Sequence, residues 1–275
     1  MAPQLRTILV LASIIGNPGT IHAASSEDAW SLWTARDTAS TEQVDHSGWQ
    51  GFLDDYLVVE NEGVNRVKYL AAGQGEGRRV LQTYLSHLTS IDPRRLNPDE
   101  QFAYWVNLYN ALTVKVVLKN PDKKSIRRMG EGLFSFGPWD DKLITIAGHE
   151  VTLNDIEHRI LRPIWRDPRI HFAVNCASIG CPNLLPEAFR ADKLQRLLDH
   201  AQLAYINHPR GVDIQAEKLV LSSIFDWYQS DFATDPKGLQ SYLAQFHENP
   251  SALLAKPPAS IRYEYDWTLN SFAPR

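Results

Sequence analysis

The sequence predicts a single α+β domain in which a mixed, mostly antiparallel sheet packs around a buried central helix, with further helices at the periphery. A chain of 275 residues, 44% hydrophobic and 22% charged, is typical of a globular protein with one substantial core. Segment 98–119 has apolar residues at helical spacing but hardly any charged face, as expected of a helix buried nearly all round. Several other short segments alternate apolar and polar residues, which is the pattern of strands.

The central helix has a strong start signal. Asn97 can cap it, Pro98 suits its first position, and Glu100 completes a capping box, so that the helix is expected to run to about Lys119. Burial would place the amides of Asn107 and Asn110 inside the protein, where an unpaired amide costs roughly 1–3 kcal/mol. They either bond to backbone and hold a loop, or they line a cleft.

Strands are predicted where apolar residues alternate. Segment 142–153 is expected to form a hairpin, 218–221 a strand, and 261–267 a final strand. In 170–174 the alternation predicts a strand that points His171 and Asn175 to the same side and leaves Cys176 at its carboxyl end.

Further helices are predicted around this core from apolar spacing and cap residues. Asn154 and Glu157 suggest another capping box, opening a short helix that Pro163 ends; Glu157 is then either a cap or a site carboxylate. The remaining predicted helices are 78–88, Pro186 to about Ile206, one starting near Ser222 or Ser223, and about 238–247.

The amino terminus has the order of a secretory signal peptide. Arg6 precedes an apolar run from Ile8 to Ile15, and small residues follow at Ala23 and Ala24. The run is far shorter than the roughly 20 residues that span a bilayer. We therefore expect a signal peptide at 1–24, a helical extension at 25–73, a main α+β domain at 74–275, and a periplasmic or secreted product without a transmembrane span.

Composition excludes some classes of function. A formal charge of −4 without long Lys/Arg blocks argues against a nucleic-acid partner. The glycines of 73–77 lack the preceding strand and the Lys-Ser/Thr pair of a phosphate-binding loop. The basic segment 123–128 is most simply a solvated linker.

Several separate motifs resemble one bacterial and plant family, the domain of unknown function 547. They are Phe102-Ala-Tyr-Trp-Val-Asn-Leu-Tyr-Asn-Ala-Leu112, Asp155-Ile-Glu-His158, Asp167-Pro-Arg-Ile-His-Phe-Ala-Val-Asn-Cys176 with Cys181-Pro182, and Tyr265-Asp-Trp-Thr-Leu-Asn270. The resemblance extends over roughly 74–270. It implies that these motifs belong to one domain, and it brings no activity.

Two functional hypotheses follow from the residue types. In the first, the protein is a thiol-dependent acyl-transfer hydrolase of the peptidase or amidase type. Cys176 is its nucleophile, His171 or His158 its base, and Glu157 or Asp266 orients that base. The predicted cleft gathers these side chains with three amides that bind substrate or the oxyanion, namely Asn107, Asn110 and Asn175.

In the second hypothesis the protein is a noncatalytic envelope module that binds a small molecule or peptide. Two cysteines of an exported protein usually pair, and a Cys176–Cys181 disulfide would pin the turn beside the cleft and leave no free thiol. A metal site from Glu157, His158 and His171 is not expected, because adjacent helical residues point about 100° apart. No cofactor is expected.

Overall fold

The computed structural model describes residues 29–132 and 135–273, and the predicted signal peptide lies outside them. Helices and strands are distributed along the whole of this part of the chain. The helices are α1 (Ser47–Tyr56), α2 (Tyr69–Gln74), α3 (Glu76–Thr89), α4 (Pro98–Lys119), α5 (Arg162–Trp165), α6 (Ile170–Ala173), α7 (Leu194–Ile206), α8 (Ile224–Trp227), α9 (Gln229–Phe232), α10 (Pro236–Ala244) and α11 (Pro250–Leu254). The strands are β1 (Leu57–Val58), β2 (Arg66–Val67), β3 (Ile144–Ile146), β4 (His149–Val151), β5 (Val212–Ile214), β6 (Leu219–Ser222) and β7 (Ile261–Glu264).

The central helix is α4, and its burial confirms the prediction. Every residue from Glu100 to Val114 is buried. Asn97 caps the helix by accepting a hydrogen bond from the backbone N–H of Glu100 at 3.0 Å. The predicted role of Glu100 in the capping box was wrong. Its carboxylate accepts from the N–H of Val44 at 2.7 Å and not from the N–H of Asn97. The helix packs mainly against α2, α3 and a π-helical segment, Asp155–Leu161.

The strands form three small sheets, so the α+β class is confirmed. The pairs β1–β2 and β3–β4 are antiparallel, and the second pair is the predicted hairpin. In the third sheet β6 pairs antiparallel with β5 and parallel with β7. The predicted final strand is shorter than expected: it ends at Glu264, so Tyr265 lies just beyond it.

The strand predicted at 170–174 was wrong, because residues Ile170–Ala173 form the short helix α6. Pro168 follows Asp167, whose carboxylate accepts from the N–H of Arg169 at 2.9 Å, and this Asp-Pro start favours a helical turn. Ile170, Phe172 and Ala173 are all buried. Alternation of apolar residues does not identify the secondary structure of a segment that is buried on every side, as His171 and its neighbours are.

The segment around the π-helix also differs from its prediction. Thr152 and Asp155 form the capping box: the N–H of Asp155 donates to Oγ1 of Thr152 at 2.9 Å, and the N–H of Thr152 to the carboxylate of Asp155 at 3.1 Å. The helix does not end at Pro163 but continues to Trp165. Because proline has no N–H, the carbonyl of Arg159 lacks its usual partner, and the N–H of Trp30 donates to it at 2.8 Å.

The N-terminal part of the described chain shares the core of the rest. Trp33, Trp49 and Phe52 are buried in the same hydrophobic cluster as α4. The rings of Trp33 and Trp105 meet edge to face at 5.1 Å. In the described residues no helix combines the length and apolar character needed to cross a membrane.

Candidate active site

A cavity of about 500 Å³ brings together several of the predicted site residues. It lies between the π-helical segment, the turn after α6, and the chain that follows β7. Its polar lining includes Glu157, His158, His171 and Cys176. Its walls are aromatic: Tyr109, Trp139, Trp227, Tyr228, Tyr265 and Trp267. This combination of apolar walls and a few polar groups is that of a small-molecule site.

A tight turn holds the sulfur of Cys176 at the cavity. The carboxamide of Asn175 accepts from the N–H of Ala177 at 2.9 Å, and Ala177 has a φ of 58°, a left-handed conformation that is rare outside glycine. Sγ of Cys176 then lies 3.0 Å from the hydroxyl of Tyr265 and 3.2 Å from that of Ser178. These two hydroxyls are 2.9 Å apart, so the three groups form one network.

The two cysteines differ in acidity. Burial raises the pKa of the Cys176 thiol, but hydrogen bonds from Cys181, Ser178 and Tyr265 outweigh burial and bring its pKa below the ordinary value. Burial raises the pKa of Cys181 well above its ordinary value, and the neighbouring Cys176 adds to this effect. Cys176 is therefore the thiol that carries negative charge more readily.

The predicted disulfide is not formed in the structure, where both cysteines are free. Instead, the backbone N–H of Cys176 donates to Sγ of Cys181 at 2.9 Å. The buried thiol of Cys181 thus stabilises the backbone of the turn at Cys176.

His171 lies between two carboxylates. Its Nε2 is 2.7 Å from Oδ2 of Asp231, and its Nδ1 is 3.7 Å from Oε1 of Glu157. The ring is 2% exposed and stacks on Tyr228 with centroids 4.2 Å apart. This geometry restricts the orientation of the imidazole and gives both nitrogens an acidic neighbour.

Asp231 anchors this arrangement from α9, and the sequence analysis did not find it. The guanidinium of Arg162 donates to both of its carboxylate oxygens, at 2.6 and 3.0 Å. Burial raises the pKa of Asp231, but hydrogen bonds from His171 and Arg162 lower it by a larger amount. The pKa of this carboxyl therefore lies well below its ordinary value. The carboxylate is therefore ionised at neutral pH.

His158 is held in one tautomer by the same arginine. Nη1 of Arg162 lies 3.0 Å from Nδ1 of His158, and a guanidinium can only donate. Burial lowers the pKa of His158, which favours the neutral ring. In that neutral ring Nε2 carries the proton, which makes His158 a hydrogen-bond donor on the cavity lining.

Glu157 lines the cavity and is not a helix cap. The Thr152–Asp155 pair provides the cap, and Oε2 of Glu157 accepts from the hydroxyl of Tyr109 at 3.0 Å. Burial raises the pKa of Tyr109 well above its ordinary value, so this tyrosine stays protonated as the donor. Tyr109 lies on α4 and connects the central helix to the cavity.

Four predicted site residues do not line the cavity. The amide of Asn107 bonds to the N–H and carbonyl of Phe189, at 3.1 and 2.8 Å. Asn110 accepts from the N–H of Asn175 at 2.8 Å and donates to the carbonyl of Ala173 at 3.0 Å. The amide of Asn175 is used within its own turn. These three amides thus satisfy buried backbone, which is the alternative that the sequence analysis left open.

The fourth residue is Asp266. Its carboxylate accepts from the N–H of Thr268 at 2.8 Å, and the residue lines a neighbouring surface groove and not the cavity itself. Asp266 is exposed between the partly buried Tyr265 and Trp267, and the carboxylate at Nε2 of His171 comes from Asp231 on α9. Among the described residues no group of three or more His, Cys, Asp or Glu side chains is arranged to hold a metal ion.

The fold and the cavity together define an α+β protein with a thiol and two histidines at one aromatic pocket. Residues 93–206 match the family model described as protein of unknown function, DUF547. This match supports assignment of the chain to that family, as the motifs indicated. Comparisons with curated proteins and with solved structures gave no match. The matched segment includes Glu157, His171 and Cys176, whereas Asp231 and Tyr265 follow it.

Proposed function

We propose that the cavity is the active site of a thiol-dependent acyl-transfer hydrolase of the peptidase or amidase type, with Cys176 as nucleophile. The observation that carries this proposal is the position of its sulfur, which lines the same cavity as His158 and His171 and lies within hydrogen-bond distance of two hydroxyls. Hydrogen bonds that favour the thiolate raise the fraction of the nucleophilic form.

Acylation begins with attack of the Cys176 thiolate on the carbonyl carbon of an ester or amide. The S–C bond forms, and the π electrons of the carbonyl move to its oxygen. His158 offers its Nε2–H to this oxygen, because Arg162 occupies Nδ1. The bond to the leaving group then breaks, and a proton from His171 goes to the leaving atom, which leaves a thioester on Cys176.

Hydrolysis of the thioester completes the cycle. A water molecule attacks the thioester carbonyl while His171 takes its proton, and the S–C bond breaks to release the acid and the Cys176 thiolate. Asp231 and Glu157 lie at the two ring nitrogens, where their carboxylates stabilise the imidazolium that gives up its proton in acylation and is formed again in hydrolysis. The carboxylate role that the sequence assigned to Asp266 thus passes to Asp231.

Acetylation by p-nitrophenyl acetate tests the proposal. We expect a burst of nitrophenol matched by an acetyl group on Cys176, located by peptide mass spectrometry. Cys176→Ala should abolish both signals, whereas Cys181→Ala removes a thiol from the same turn and should retain the acetyl group. A burst that survives in Cys176→Ala, or wild-type protein without acetyl on Cys176, would contradict the proposal.

One observation favours the second hypothesis. Among the described residues, the polar side chains at the sulfur of Cys176 are Ser178, Tyr265 and Cys181, and none is an imidazole. A noncatalytic envelope module that binds a small molecule or peptide has no need of such a base. Its predicted Cys176–Cys181 disulfide would fix the turn. Thiol titration of the nonreduced protein separates the two: the hydrolase requires a free Cys176, and the stapled module leaves no free thiol.

We also propose export to the periplasm or the exterior. The support is the order of Arg6, the apolar run 8–15 and the small residues Ala23 and Ala24. Expression of the full chain followed by N-terminal sequencing of the product tests it. Cleavage after residue 23 or 24 is the expected result, and an intact amino terminus on protein retained in the cytoplasm would contradict export.

A further inference from the structure

A basic groove adjoins the cavity and shares two of its walls. The groove has a volume of about 560 Å³ and presents Lys124, Arg127 and Arg128. Phe136 and Trp267 line both the groove and the cavity. A molecule bound in the aromatic cavity can therefore extend into the groove without leaving the surface of the protein.

The cations are held in position by the fold. Their segment contains a 3-10 turn, Ile126–Arg128, whose Ile126 is fully buried. The carbonyl of Lys124 accepts from the N–H of Leu269 at 3.0 Å, which attaches the segment to the chain beyond β7. The guanidinium of Arg127 lies over the ring of Trp267, 5.2 Å from its centroid. This basic segment is thus attached to the fold at Lys124 and Ile126, while its basic side chains are exposed, as expected of a solvated segment.

The basic side chains of the groove are available to bind an anion. Among the described residues no ion pair uses Lys124, Arg127 or Arg128, although the chain as a whole has a formal charge of −4. Asp266 also lines the groove, but its carboxylate is turned to the N–H of Thr268. Ser125 also lines the groove, but its hydroxyl is buried away from the surface.

We infer that the substrate is a small acyl compound with an apolar or aromatic body and an anionic group, a carboxylate or a phosphate. The body occupies the cavity, and the anionic group binds Arg127 and Arg128 in the groove. Guanidinium groups suit this role because they bind carboxylate and phosphate through paired hydrogen bonds. The acyl part of this inference rests on the proposed function, whereas the anion site is measurable without turnover.

Calorimetric titration of the full chain with three matched ligands tests the anion site. They are 4-phenylbutyrate, 3-phenylpropyl phosphate and the neutral 4-phenylbutanamide. We expect the better of the two anions to bind at least about tenfold more tightly than the amide, the effect of one good charged contact. The ratio between the carboxylate and the phosphate identifies which anion the groove prefers.

The double variant Arg127→Gln/Arg128→Gln should remove this preference by weakening the binding of both anions to the level of the amide, whose own affinity should change less because it carries no charge. Arg36→Gln/Arg95→Gln is the matched control, because it removes the same charge from exposed positions outside the groove. Equal affinity of anions and amide, no binding of either anion, or an equal loss in the control would overturn the inference.

Acetylation by p-nitrophenyl acetate in the same variants keeps the two proposals separate. A burst without anion preference contradicts only the anion site. Anion preference without acetylation of Cys176 contradicts only the hydrolase.

Discussion

Arg162 donates to Nδ1 of His158 at 3.0 Å and, with its other nitrogens, to both carboxylate oxygens of Asp231. The guanidinium of Arg162 therefore fixes the tautomer of His158. It also holds Asp231, the carboxylate that contacts His171. Its side chain is 3% exposed, so these contacts are shielded from water.

Arg162→Met is expected to destabilise the protein by about 3–5 kcal/mol, because it leaves the charge of Asp231 without its buried partner. Chemical denaturation at neutral pH measures this change. Arg159→Met is the matched control on the same continuous helical segment: its side chain is 48% exposed, and loss of its ion pair and of its contact with the Trp30 ring should together cost at most about 2 kcal/mol. Equal effects of the two substitutions would show that the Arg162–Asp231 pair contributes little.

Asp231 should make stability sensitive to acid. Because its pKa is lowered in the folded protein, the carboxylate contributes stability that is fully present above the unfolded value of about 3.9 and is lost as the pH falls below it. Asp231→Asn should therefore lose stability at pH 7 and show a smaller decrease between about pH 4 and pH 2. Urea denaturation across this range measures both effects. An unchanged acid dependence in the variant would contradict the assignment.

Tyr265 should control the acidity of Cys176. Removing its hydroxyl with Tyr265→Phe deletes a donor that lowers the pKa of the thiol, so the pH midpoint of alkylation by iodoacetamide should rise. In the wild type that midpoint should lie below that of an ordinary exposed thiol. Tyr263→Phe is the control, because it removes a half-buried hydroxyl from the adjacent strand β7. Identical midpoints in the two variants would contradict the role of Tyr265.

Asn110 should be needed for folding and not for binding. Asn110→Leu leaves the N–H of Asn175 and the carbonyl of Ala173 without partners, and each such group costs about 1–3 kcal/mol. We expect a loss of at least about 2 kcal/mol in the free energy of unfolding. Thr113→Val is the control on the same helix: its buried hydroxyl has no partner, so the substitution should be close to neutral.

The central helix could be predicted because its signals are local. Asn97 and Pro98 mark its start, and the absence of a charged face marks its burial. The hairpin was predicted for the same reason, since its strands and turn are adjacent in the chain. The helix α6 was not predicted, because the apolar residues of 170–174 alternate as in a strand. The opposing signal is the helix start at Asp167 and Pro168.

The site was predicted in part. Glu157, His158, His171 and Cys176 lie in neighbouring motifs, and the structure brings them to one cavity. Asp231 could not be found, because its role depends on contacts with residues 60 and 69 positions away and α9 carries no motif of its own. The buried amides were predicted at the cleft but bond to backbone. Burial alone does not say whether the partner of an amide is backbone or a ligand.

The contact between the N–H of Trp30 and the carbonyl of Arg159 bears on how this protein should be shortened for laboratory work. The guanidinium of Arg159 also lies 4.6 Å from the centroid of the Trp30 ring, and Trp33 covers Trp105 on the central helix. A protein beginning at residue 93, the first position of the family match, would lack Trp30 and Trp33 and would expose apolar surface on α4. The segment that matches the family model is thus shorter than the segment that shares the hydrophobic core.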